Sequence, residues 1–139
     1  MQRIRTFFMF PGQAEEAIHF YLSLFENSEL LSIERYGQDD PGGAAGTVKL
    51  ATFQVAGQEF MAIDTNIEHG FGFTPSMSLY VHCRDEQEIE RLFEQLTSGG
   101  QVLMPLEAYP FSPKFAWVAD RFGVSWQLAL AAGPSDPSS

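Results

Sequence analysis

Three histidines and a single cysteine are the side chains of this 139-residue chain best suited to chemistry near neutral pH. An imidazole changes charge in that range, and His82 lies two residues from the phenol of Tyr80 on one extended segment. His82 and Tyr80 are therefore the acid–base candidates. Cys83 follows directly, but successive strand side chains point to opposite faces, so His82 and Cys83 do not form a nucleophile–base pair. Cys83 reads as a small core residue. His19 and His69 have no partners at ligand spacing. Asp39, Asp40 and Glu107 fall in loops, where a carboxylate either attracts a cation or is simply solvated. Asp120-Arg121 precedes Phe122-Gly123 and reads as a hairpin turn with a structural role.

The elements that position these groups follow from pattern. Residues 3–10, RIRTFFMF, suit a strand that Pro11-Gly12 ends. From Gln13 to Phe25, apolar residues at Ala14, Ala17, Ile18, Tyr21, Leu22 and Phe25 form one helical face. Glu15 and Glu16 stand in its first turn, where the helix dipole favours acids. Residues 29–36 read as a strand and 37–47, GQDDPGGAAGT, as a loop. Residues 48–55 and 58–64 are strands joined by a tight turn at Ala56-Gly57. A linker, 66–73, follows. Ser76 to Cys83 is again extended, and Asp85 with Glu88 gives a capping-box pattern. Ile89, Leu92, Phe93 and Leu96 make the second helical face, stopped by Gly99-Gly100. Residues 101–104 form a short strand. Residues 104–115, with three prolines and three aromatics, read as a flap rather than a regular element. Strands at 115–119 and 124–130 close the chain, and 131–139 has the composition of a disordered tail.

Composition narrows the partners. The formal net charge is −10, and no basic face exists to displace counterions from nucleic acid or to meet an anionic membrane. A cationic ligand is favoured by the same charge. One cysteine excludes an intrachain disulfide, and no apolar run suggests a signal peptide or a membrane span, so the chain reads as cytoplasmic. Thirteen phenylalanines supply either a core of flat side chains or the lining of an apolar cavity.

The element order occurs twice, over about 3–64 and about 76–130. A shift of 72 residues lays Ala17 on Ile89, Phe20 on Leu92, Tyr21 on Phe93 and Leu24 on Leu96, apolar in both copies. For the closing hairpin the shift is 66, with Gly57 on Gly123 and Met61 on Gln127. The match is one of pattern rather than identity.

The segments FFMFPGQAEEAIHFYLSLF, MSLYVHCRDEQEIERLFEQL and DRFGVSWQL resemble the vicinal-oxygen-chelate superfamily, the glyoxalase/bleomycin-resistance fold, and in particular its PhnB-like branch. With their connecting strands they cover residues 3–130. The resemblance implies an α+β fold with one domain over 1–139, in which two βαβββ modules form an open U-shaped mixed sheet around a cavity. It also implies a homodimer. In metal-using members, the first and last strands of each module supply the ligands. Carried onto this sequence, those positions are Thr6, Met61, Ser78 and Gln127. Two hydroxyls, a thioether and an amide are poor donors for a divalent ion, so no metal and no cofactor is expected. Some members of the branch carry a 3-demethylubiquinone methyltransferase label. A nucleotide-binding glycine turn should then follow a first parallel strand, whereas Gly42, Gly43 and Gly46 lie in a polar loop.

If Thr6 and Ser78 point into that cavity, alternation sends Phe8, Phe10, Tyr80 and His82 there too. The expected ligand cavity is thus Thr6, Phe8, Phe10, Met61, Ser78, Tyr80, His82, Trp126 and Gln127, an aromatic wall with a few polar groups. Three functions fit this reading: a metal-independent binder of an unidentified small molecule, a lyase or isomerase that uses either a metal or a metal-free acid–base pair such as His82 and Tyr80, and a dimeric interaction domain whose cavity its own side chains fill.

Overall fold

The computed structural model describes residues 2–131; the expected disordered tail lies outside the described residues except for Ala131. The chain divides into two compact units that meet between Phe71 and Gly72. Each unit is one βαβββ module.

The first unit runs β1 (Thr6–Phe10), α1 (Ala14–Leu24), β2 (Glu29–Arg35), β3 (Val48–Val55) and β4 (Gln58–Asp64), with strand order β1-β4-β3-β2. β1 pairs with β4 in parallel, and the other neighbours are antiparallel. The β3–β4 connection is two residues, Ala56 and Gly57, both with positive φ, the conformation that matches the twist of a hairpin. Ala14, Ala17, Ile18, Tyr21 and Leu24 of α1 are buried. Leu24, rather than the expected Leu22 and Phe25, completes that face. Against it the sheet offers Phe8, Phe10, Phe53 and Phe60, with Phe60 stacked at 5.9 Å on Phe8 and 5.7 Å on Phe53. Several phenylalanines are thus core.

The helix α1 lacks a side-chain cap of its own. Asp64, at the far end of β4, supplies it: one carboxylate oxygen accepts from the amides of Gly12 and Ala14, the other from Val48. The long 37–47 loop is also tied down. Tyr36 exchanges backbone bonds with Thr47 and Gly46, donates its hydroxyl to the Asp64 carbonyl, and lays its ring on Gly43. Asp40 accepts from the Gly37 amide and pairs with Lys49; the Gly37 bond and then the lysine hold its carboxyl below the usual range. Its role there is local.

The second unit runs β5 (Ser78–Cys83), α2 (Glu86–Thr97), β6 (Gln101–Tyr109), β7 (Ser112–Ala119) and β8 (Ser125–Leu130), with strand order β5-β8-β7-β6. Asp85 caps α2 by accepting from the Glu88 amide, and Glu88 reaches back to the Arg84 amide, one residue before the usual capping-box partner. The expected flap at 104–115 is instead a hairpin, with β6 running to Tyr109 and β7 starting at Ser112. Pro105 fits because β6 is an edge strand, interrupted by register shifts on either side of Met104 and of Glu107; Pro110 lies in the turn, and Pro113 is the second residue of β7, before its pairing with β8 begins at Lys114. Asp120 accepts from the amides of Phe122 and Val124 and from the indole of Trp126, so it builds the turn into β8. No helix among the described residues is long and apolar enough to cross a membrane.

Candidate functional site

Two contacts fix which sheet face each helix covers. In the first unit the Phe8 ring lies 6.3 Å from that of Tyr21 on α1. Phe8 and Phe10 therefore face the helix and are buried, opposite to the expected cavity placement. In the second unit Lys114 reaches Glu86 and Glu90 of α2, which puts Phe115 and Trp117 on the helix-free face. Trp126 is buried on the helix side, its indole nitrogen bonded to Asp120, and so leaves the expected cavity as well.

The error in the first strand is one residue. Phe7 stands opposite Met61, and Tyr80 opposite Gln127. With Met61 on Gln127, β1 superposes on β5 with a shift of 73, not 72, while the helices keep 72. A one-residue slip exchanges the two faces of a strand. Thr6 consequently matches Leu79 on the helix side, and Arg5 is the residue that matches Ser78.

The four symmetric positions are thus Arg5, Met61, Ser78 and Gln127. Arg5 is held by Glu59 at 3.3 Å. Ser78 and Gln127 bond to each other, Gln127 Nε2 donating to Ser78 Oγ at 3.3 Å. Ser78 Oγ also bonds to Ser125 Oγ at 2.7 Å, and Ser125 accepts the Trp117 indole N–H at 2.8 Å. In the first unit a guanidinium donates only and a thioether is a soft donor, and in the second a hydroxyl and an amide are neutral, weak donors, so neither pair suits a divalent ion. No three His, Cys, Asp or Glu side chains gather as a metal site among the described residues.

What the second unit does assemble on its helix-free face is aromatic. Tyr80 lies 5.1 Å from His82 and 6.5 Å from Phe115, centroid to centroid. Phe115 is met edge-on by Tyr109 at 5.7 Å and Phe111 at 4.8 Å. Phe115 is buried beneath these rings, whereas Tyr80 and Phe111 are 49% and 60% exposed. Glu107, expected in a loop, is on β6 directly opposite Phe115 and so shares its face. Tyr109 has its phenol pushed above the usual range by partial burial and then by the Glu107 charge. Tyr109, Phe111, Phe115 and Glu107 as a group were missed as a wall because the proline-rich stretch hides two strands. Of the expected cavity residues, this face holds Ser78, Tyr80, His82 and Gln127.

His82 is exposed, and among the described residues its imidazole forms no ion pair with a carboxylate; its close neighbour is the Tyr80 ring. Cys83 faces the helix; burial and then the Glu88 charge push its thiol up to about 12, which leaves it protonated at neutral pH. His19 sits beside Glu15 on α1, and His69 beside Thr65 in the linker.

The family profile described as 3-demethylubiquinone-9 3-methyltransferase matches residues 2–129. A structure described as a PhnB protein, from Bacillus cereus, is 56% identical, covers 94% of this chain and 100% of its own, and superposes with a TM-score of 0.90. Protein PA1353 from Pseudomonas aeruginosa is 27% identical over 94% of this chain and 98% of its own, with a TM-score of 0.75. The fosfomycin resistance protein FosX from Listeria monocytogenes, 10% identical over 95% and 94% of the two chains with a TM-score of 0.62, shares the fold alone. No curated protein matches the chain. With two βαβββ modules and these relatives, the chain has the glyoxalase/bleomycin-resistance fold and belongs to the PhnB-like family.

Proposed function

We propose that this PhnB-like chain binds a small organic molecule on the helix-free face of its second unit, without a divalent metal. The observation that carries the reading is the ring group of Tyr80, His82, Tyr109, Phe111 and Phe115 beside the polar row Ser78–Gln127. Open ring faces next to a few hydrogen-bonding groups are the usual lining of a small-molecule site. Within this unit, the hydroxyl and amide of Ser78 and Gln127 support the metal-free part.

The methyl transfer in the family description finds no support in the local geometry. The amides of Gly12 and Ala14, where α1 follows β1, are taken by Asp64, and Gly43 is packed under Tyr36. Neither offers a cradle for a nucleotide cofactor.

A thermal-shift screen of a small-molecule library tests the reading, because any ligand of the native state raises the melting temperature. Hits should survive a chelator and weaken in Tyr80→Ala. Hits that vanish with the chelator would overturn the metal-free reading; hits indifferent to Tyr80→Ala and Phe111→Ala would overturn the site.

A further inference from the structure

Strand register puts Tyr80, His82, Glu107, Phe115 and Gln127 on the helix-free face of the second unit, and Tyr109 joins them by its ring contact with Phe115; these residues include one carboxylate and no lysine or arginine. The nearest lysine in sequence, Lys114, is turned to the other face and engaged by Glu86 and Glu90. We propose that the occupant of this face is a small organic cation, a quaternary or protonated amine seated on the exposed rings of Tyr80 and Phe111 with Glu107 as its counter-ion.

This rests on the small-molecule reading and adds the chemical class. An aromatic ring presents its negative face to a cation, and a ring already half desolvated by its neighbours does so more strongly. Tyr109 and Phe111 lie nearly parallel, 17° apart, and both stand edge-on to Phe115, which keeps the group rigid. Glu107 opposes Phe115 across the β6–β7 pair, which puts its carboxylate on the same sheet face as these rings, and its charge raises the Tyr109 phenol. The net charge of −10 adds a long-range attraction for cations.

The test titrates the full chain with choline and with its neutral isostere 3,3-dimethyl-1-butanol, read by amide chemical shifts of Tyr80, Tyr109 and Phe111 at low and moderate salt. Choline should bind saturably, about tenfold more tightly than the alcohol, and more tightly at low salt. Glu107→Gln should weaken choline by about fivefold and leave the alcohol unchanged; Phe111→Ala should weaken choline by about threefold. Equal binding of the two compounds would overturn the cation proposal while leaving the small-molecule reading standing. Absence of saturable choline binding, with the variants still folded by thermal melt, would overturn it as well, whereas loss of every hit in the library screen would overturn the underlying reading.

Discussion

Asp64 caps the helix that starts at Ala14, accepting its amide at 2.8 Å across fifty residues of chain. The same carboxylate takes the amides of Gly12 and Val48, so one buried side chain joins the start of α1, the end of β4 and the start of β3. The matching position in the second unit is Leu130, and there α2 is capped by its own neighbour Asp85. Asp64→Ala would leave three amides short of an acceptor. A loss of about 3 kcal/mol is expected, from about 1 kcal/mol for each donor left unpaired. For a chain of this size that lowers the melting temperature by about 10 °C. Asp85→Ala, which removes one exposed cap bond, should cost about 1 kcal/mol. Equal losses in the two variants, by chemical denaturation, would refute the assignment.

Tyr36 and Gly43 form a second tie. A Cβ added at Gly43 would sit 2.0 Å from the Tyr36 ring, so Gly43→Ala must move the loop or the ring. An expected cost of about 2 kcal/mol follows from overpacking. Removing the ring should relieve it: Tyr36→Ala with Gly43→Ala should be less destabilising than the sum of the single variants, by about 1 kcal/mol or more. Strict additivity would show that the ring is not what excludes the methyl group.

Cys83 gives a pH-dependent prediction. With its thiol pushed up to about 12, mainly by burial, the thiolate is scarce at pH 8. Alkylation by iodoacetamide should run roughly a thousandfold slower than for an exposed thiol of pKa about 8.5. The sign for stability is fixed by the same shift. The unfolded thiol ionises first, so this contribution is whole below about pH 8.5 and declines as pH rises from there toward about 12. Fast alkylation of the native protein at pH 8 would contradict the buried placement.

Most elements of the fold were legible because they announce themselves locally. Glycine turns, two amphipathic faces and short alternating strands need no long-range information, and Asp85 sits beside the helix it caps. What was not legible depends on distance or on register. No local signal joins Asp64 to Ala14. Thr6 and Arg5 both precede FFMF, and nothing in RIRTFFMF says which of them shares a face with Met61; the Phe8–Tyr21 contact decides it. The 104–115 hairpin was hidden because proline argues against a strand; the edge position of β6, with Pro110 in the turn and Pro113 just after it, reconciles the two.

Ser78 and Gln127 allow a direct test of the metal-free shell. Their side chains converge to 3.3 Å on adjacent parallel strands, close enough for two imidazoles to share an ion. The double variant Ser78→His, Gln127→His should therefore gain affinity for nickel or zinc. If the site binds at about 10 μM, 1 mM metal should raise the melting temperature by about 5 °C or more. Either single variant should respond weakly, and the natural chain should not respond at all, since its hydroxyl and amide offer no donor that such ions prefer over water. A response of the natural chain equal to that of the double variant would mean that other residues hold the ion, and the metal-free proposal would fall.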